Sequence, residues 1–159
     1  MRKLSLKEKA TNFDTFIHIQ QVQKGLQKLA TQALERGRVH DRSKLDTPEV
    51  EHFTKYTEEL KDLTYNSDEY KNCLEKMKPA IQHHYAVNRH HPEHFPDGIS
   101  GMNLVDLQEM IVDWWASSKR QNNGNLRLSL EESCKRFNIE PQLASILKNT
   151  LDVLEEGVE

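Results

Sequence analysis

The stretch Val39-His40-Asp41-Arg42-Ser43-Lys44-Leu45 sets a histidine, an aspartate and a lysine within five residues. A histidine followed at once by an aspartate offers an imidazole nitrogen and a carboxylate oxygen to one point in space. Both are good ligands for a divalent transition metal. Lys44 lies three residues beyond the aspartate, about one helical turn on, where its ammonium can meet an anion held at such a metal. Asp113 is the next telling residue, set among Leu107, Met110, Ile111, Val112, Trp114 and Trp115. A carboxylate in such company is costly to bury unless something pairs with it. A metal ion is one partner that would serve; an arginine or a helix-end amide is the ordinary one.

Histidines supply the remaining candidates. His83, His84, His90, His91 and His94 place five of the eight histidines between positions 83 and 94. Neighbouring side chains on a helix point about 100° apart, so His83 and His84 can hardly serve one site together. His84 continues the spacing of Tyr70, Leu74, Met77 and Ile81 and is expected to face inward, with His83 at the edge of that stripe. The plain alternative is a surface histidine-rich loop. His18 borders a stripe formed by Ile19, Val22, Leu26, Leu29 and Ala33, where a lone histidine is ordinarily a hydrogen-bonded boundary residue.

The elements that must position these groups read as helices throughout, because glycines are few and Leu, Lys, Glu and Gln are many. The first helix is expected from near Asn12 to Arg36, stopped by Gly37. Thr47-Pro48 reads as a capping hydroxyl and a first-turn proline for a second helix carrying Val50, Phe53, Tyr56 or Thr57, and Leu60. Asn66-Ser67-Asp68 marks the next boundary, with Ser67 as cap of a third helix that ends past His84 and that Pro79 could kink. The chain from Asn88 to Gly101 reads as a loop. Asn103 with Asp106 caps a fourth helix. Asn122 to Asn125 reads as a turn, and Ser129 with Glu132 as a capping box for a short fifth helix through Arg136. Pro141 opens the last, with Leu143, Ile146 or Leu147, Thr150 and Leu154 inward. The fold class is therefore all-α, one bundle-like domain of about six helices over residues 1–159 with its core between about 13 and 150.

Composition narrows the function classes. The chain has 159 residues, 30% charged and 36% hydrophobic, with a net charge of −3. Basic residues are dispersed, so no polymeric nucleic acid is indicated as a partner. No apolar run approaches the roughly 18 residues of a membrane span, and the charged first ten residues lack the apolar core of a secretion signal. Cys73 and Cys134 form no Cys-x-x-Cys motif. A cytoplasmic location is the expectation.

The order His18, His40-Asp41, Asp113 resembles the H…HD…D signature of the HD-domain metal-dependent phosphohydrolases, all-helical proteins whose ligands converge from separate helices. The run His40-Asp41-Arg42-Ser43-Lys44 is similar to the HD-x-G-K motif of the cyclic-dinucleotide phosphodiesterases in that superfamily. Ser43 stands in place of the glycine and no G-Y-P motif follows, so that substrate does not carry over. Across about residues 13 to 150, the set H-D-R-S-K, H-H-Y-A-V-N-R-H-H-P-E-H and E-M-I-V-D-W-W-A-S-S-K-R looks like a family of short phage and bacterial proteins. That likeness bears on the site rather than the substrate.

The resemblance implies a metal set of His18, His40, Asp41 and Asp113, with His84 and His90 or His91 available to a second ion. The cofactor would be one or two ions of Mn, Fe, Zn, Co or Ni. Lys44, His83, His90 and His91 are then the catalytic candidates, for charge stabilisation and proton transfer. The implied substrate is a small phosphate ester or nucleotide, nucleoside monophosphates first. Two other readings stand beside it: a di-iron oxygenase, and a metal-stabilised interaction protein without catalysis.

Overall fold

A computed structural model describes residues 2–61, 63, 67–119 and 126–156. The Leu60 side chain, Asn66 and the turn expected from Asn122 to Asn125 lie outside the described residues. The fold is all-α, with six helices and no strand among the described residues: α1 (Leu6–Val39), α2 (Glu49–Lys61), α3 (Asp68–Val87), α4 (Leu104–Ser118), α5 (Leu126–Arg136) and α6 (Pro141–Glu155). The chain divides into two compact units, Met1–Arg38 and Val39–Glu159. No helix of the described residues is long and apolar enough to cross a membrane.

The first unit is essentially one helix. Ser5 and Glu8 open α1 with a reciprocal box: Ser5 N donates to Glu8 Oε2 at 2.8 Å and Glu8 N to Ser5 Oγ at 3.3 Å. This start precedes the expected one, and the helix also runs through Gly37 to Val39. A glycine inside a helix costs only about 1 kcal/mol relative to alanine, too little to end a helix that has no other stop signal there. A single helix has nothing within its own unit to cover its apolar stripe, and none of its residues is buried.

In the second unit the core is formed by Met110 and Ile111 of α4, Leu126 and Leu130 of α5, Ile139, and Leu147 and Leu151 of α6. Leu143 and Leu154 pack against it, whereas Ile146 faces solvent. Trp114 and Phe137 stack almost parallel, 6.1 Å between centroids. On the other side, α2 packs on α3, which buries Cys73, Met77, Ala80 and His84. That face includes Met77 and His84 as expected, while Tyr70, Leu74 and Ile81 are only half-buried beside it. Ser67 caps α3, accepting from Tyr70 N at 3.1 Å, and the helix continues through Pro79.

Two further helix starts differ from those expected. α2 begins at Glu49, and the Thr47 hydroxyl donates to Glu51 Oε1 at 3.1 Å instead of capping the backbone. α5 begins at Leu126, so Ser129 and Glu132 lie inside it. A serine and a glutamate at that spacing fit a helix interior as well as its start, and burial of Leu126 and Leu130 on one face carries the helix back past Ser129. Asn103 and Asp106 do make the expected capping box, with Asp106 N donating to Asn103 Oδ1 at 3.1 Å and Asn103 N to Asp106 Oδ2 at 3.0 Å.

Between α3 and α4 the chain folds tightly through two 3-10 turns, Pro92–His94 and Gly98–Gly101. Gly98 takes a φ of 57°, the left-handed region open to glycine. At Gly101 a Cβ would meet Phe95 Cβ at 2.7 Å, so the Phe95 side chain lies too close to this backbone for a larger residue to fit without a shift. Gly101→Ala should therefore destabilise the fold by about 1–3 kcal/mol through overpacking. Thermal unfolding followed by circular dichroism checks this; an unchanged Tm would contradict the close approach.

Candidate metal centre

The reactive side chains reach the centre from four separate segments of the second unit. His40 and Asp41 follow the end of α1. Asp41 has φ 55° and ψ 16°, a left-handed conformation that aspartate and asparagine tolerate better than other side chains. The Arg42–Leu45 3-10 turn follows, closed by Lys44 N on Asp41 O at 2.9 Å. His84 comes from the last turn of α3, His90 and His91 from the segment after it, and Asp113 from α4.

The geometry brings six of the residues singled out in the sequence together. Asp41, His84, His90 and His91 each present a ligand atom within 4.8 Å of the others, and His40, His90 and Asp113 form a second such group sharing His90. His84 Nε2 lies 3.1 Å from Asp41 Oδ1, and His90 Nε2 lies 3.4 Å from the same oxygen. His40 Nε2 sits 3.5 Å from Asp41 Oδ2 and 3.4 Å from Asp113 Oδ1. Despite these distances Asp41 Oδ1, His84 Nε2, His90 Nε2 and His91 Nε2 are all buried without a hydrogen bond of proper geometry. Buried polar atoms are normally satisfied. Four that converge without bonding one another are arranged as ligands around a point, and nitrogen with carboxylate oxygen suits a divalent transition ion.

Two carboxylates not foreseen in the sequence hold the outer edges of the imidazoles. Glu109 Oε1 accepts from His40 Nδ1 at 2.9 Å and lies 3.1 Å from His90 Nδ1. Glu49, fully buried, meets His83 Nδ1 through Oε1 at 2.7 Å and His84 Nδ1 through Oε2 at 2.8 Å. Carboxylates behind metal-binding histidines fix the ring orientation and tautomer. Glu109 was discoverable, since it stands four residues before Asp113 and shares its helix face. Glu49 had no such signal, because its role depends on α2 packing against α3.

The other residues fall outside the ligand groups. His83 is bonded to Glu49 and half-exposed. Lys44 Nζ donates to Asp41 Oδ2 at 2.6 Å, the oxygen turned away from His84 and His90, with its side chain 39% exposed. His94 donates through Nδ1 to Tyr85 O at 3.1 Å. His18 lies exposed on α1 in the first unit, and both ligand groups form without it.

Charge in the cluster is strongly coupled. Hydrogen bonds to Asp113 and Glu109 push the His40 pKa up to about 10 against the opposing effect of burial. Burial works against ionised Asp41, but His84, His90 and Lys44 outweigh it and hold its carboxyl far below the usual range. Asp113 is likewise lowered, burial being overcome by His40. For His91, burial together with the neighbouring charge of His90 and His84 pushes the pKa down to about 3. That leaves a neutral ring with a lone pair to give.

The segment carrying His90 and His91 is clasped to α4. Arg89 donates through Nε to Asp106 Oδ1 at 3.0 Å and through Nη2 to Oδ2 at 2.9 Å, and its guanidinium lies 4.8 Å from the Phe95 ring centroid. Asp106 is fully buried and shares its helix with Glu109 and Asp113.

A family model matches residues 7–153: DUF5662, a family of unknown function. The chain belongs to this family. The matched span contains every site residue named above, from His18 to Asp113, together with Glu49 and Glu109. No curated protein and no solved structure matches the chain.

Two outcomes follow from the clasp and from His40. Arg89→Ala should lower stability by about 1–3 kcal/mol, less than for a fully buried pair because Arg89 is partly solvated. It should also weaken metal binding by loosening His90. A variant with unchanged Tm and unchanged affinity would contradict the clasp. His40 keeps its proton to about pH 10 when folded, against an ordinary 6.5. A raised pKa gives stability that is full below about 6.5 and lost as pH rises toward 10, so chelated protein should melt progressively earlier across that window. A metal needs the lone pair that this proton occupies, so affinity should climb over the same window, by up to about tenfold per pH unit from this group. Competition titrations with a chelator at several pH values measure it, and a flat profile would count against His40 as a ligand.

Proposed function

We propose that the protein is a metal-dependent phosphohydrolase acting on small phosphate esters, nucleotides and nucleoside monophosphates foremost. The observation that carries this reading is the convergence of four buried, unbonded ligand atoms from Asp41, His84, His90 and His91, with Lys44 at the rim. The resemblance to the HD-domain phosphohydrolases supports it through His40-Asp41, Lys44 and Asp113. The donor set fits a divalent ion on charge as well as on geometry. Asp41, Asp113, Glu49 and Glu109 bring four carboxylates against the one ammonium of Lys44, leaving three negative charges when the histidines are neutral. One ion in the Asp41, His84, His90 and His91 group leaves His40 and Asp113 as a smaller set for another.

A divalent ion bound there would polarise a phosphoryl oxygen and lower the pKa of a water molecule. The chain's own groups carry the rest. Lys44, bonded to the Asp41 carboxylate and partly open to solvent, would meet charge that grows on the phosphoryl oxygens. Asp41 holds that ammonium at a fixed distance from the ligand atoms. His83 stands outside both ligand groups with a solvent-facing share, which leaves it to hand a proton to the departing alkoxide.

Elemental analysis of purified protein beside Asp41→Asn is the first test, followed by phosphate release from a nucleotide panel. The expected result is a stoichiometric transition metal lost in the variant, with activity falling by at least 100-fold. Lys44→Ala should retain metal yet lose roughly 10- to 100-fold in kcat/KM. Metal without any turnover would favour an interaction protein. Iron with oxygen-dependent turnover would favour the oxygenase reading, which the histidine-rich ligand set also suits.

A further inference from the structure

Glu49 is a carboxylate wholly removed from water at the first turn of α2, 34 residues from one histidine partner and 35 from the other. Its two oxygens are divided between adjacent residues of α3, Oε1 to His83 Nδ1 and Oε2 to His84 Nδ1, and the Ser43 hydroxyl also bonds the carboxylate. The two rings differ in setting, since His83 is half-exposed and His84 is buried. His84 Nδ1 also has two neighbours able to donate, Asn88 Nδ2 at 3.0 Å and Ser43 Oγ at 3.3 Å. The nitrogen cannot both donate to Glu49 and accept from these, so its proton is decided by competition.

The contacts settle the competition in favour of Glu49. An ionised carboxylate only accepts, and its bond to a ring N–H is shorter and stronger than a neutral one. Asn88 has better uses for its two hydrogens, on Ser43 Oγ at 2.8 Å and His84 O at 2.9 Å. The far nitrogen agrees: His84 Nε2 is buried 3.1 Å from Asp41 Oδ1 yet makes no hydrogen bond to it. A proton on Nε2 would make no well-aligned bond to that oxygen, whereas a lone pair there points among the other ligand atoms.

We propose that Glu49 is a positioning residue that fixes His84 as the Nδ1–H tautomer, so that its Nε2 lone pair faces the ion, with His83 serving as the second donor that lets the buried carboxylate stay fully satisfied. This rests on the metal-centre reading, and it adds which group sets the ligand's state. A carboxylate offers two acceptors, while a carboxamide offers one acceptor and one donor. Glu49→Gln therefore has to turn its NH2 toward one ring. His83 can give its Nδ1 lone pair and keep its proton on Nε2 in water; His84 cannot do so without losing the ligand atom.

The experiment measures zinc affinity by chelator competition in the full-length protein and its variants. It is paired with long-range proton–nitrogen NMR of the imidazoles in chelated protein at pH 8. Glu49→Ala should bind zinc 10- to 100-fold more weakly, about the loss typical of an outer carboxylate, and show His84 with its proton no longer confined to Nδ1. Glu49→Gln should stay within about tenfold of wild type and show His83 switched to the Nε2–H form, a change that a merely structural role would not produce. His83→Ala should remain within about threefold.

Wild-type affinity in Glu49→Ala would overturn the proposal. So would an Nε2–H His84 in the wild type, or a loss in His83→Ala equal to that in Glu49→Ala. If wild-type protein bound no zinc, the metal reading would fall by itself. The NMR arm would then still decide the tautomer, with Glu49→Gln as the variant closest in shape to the native residue.

Discussion

A carboxylate taken out of water must be met by donors or cations, and the second unit is arranged around meeting that demand at four places. Asp41, Glu49, Glu109 and Asp113 each have a histidine nitrogen within hydrogen-bond or ion-pair distance. The histidines stand between two rings of acid. Glu49 and Glu109 hold their outer nitrogens, while Asp41 and Asp113 face the inner ones. Such an arrangement is strained in charge when the histidines are neutral and over-supplied with protons when they are not. A divalent ion would relieve that imbalance, and the carboxylates around His40 explain why it holds its proton so far above the ordinary range.

Helix α4 joins this electrostatic demand to the apolar core. Met110 and Ile111 lie in the core with α5 and α6, while Glu109 and Asp113 face the imidazoles. Its first turn is fixed twice over, by the Asn103–Asp106 capping box and by the bidentate grip of Arg89 on Asp106. The Arg89 plane rests on Phe95, and Phe95 in turn lies against Gly101. The short irregular segment that carries His90 and His91 is thereby tied to α4 at Arg89. Rigid packing transmits small displacements, so the core of α4 and the site share one geometry.

Much of this was legible in the sequence, for reasons that differ from residue to residue. Helix existence and type followed from composition and periodicity, and the capping signals at Ser67, Asn103 and Pro141 landed where expected because each answers a local backbone need. The Ser129 signal failed because buried Leu126 and Leu130 drew the helix back past it. His40, Asp41, His84, His90, His91 and Asp113 were found through residue type and clustering. Glu49 and Arg89 were not, since a surface glutamate and a surface arginine look the same as these in one dimension. What sets them apart is a partner far along the chain, His84 for one and a fully buried Asp106 for the other.

The backbone at Asp41 has a consequence for variation among relatives. Residue 41 answers to two unrelated demands, a positive φ of 55° and an oxygen directed at the imidazoles. Glycine meets the first and lacks the oxygen; glutamate carries the charge and fits the left-handed turn poorly. Asparagine alone keeps the shape while dropping the charge. Relatives with glycine at this position would keep the turn without the oxygen, and relatives with asparagine would keep a neutral oxygen in place of the charged one, so the identity of this one residue would grade how firmly the housing could hold an ion.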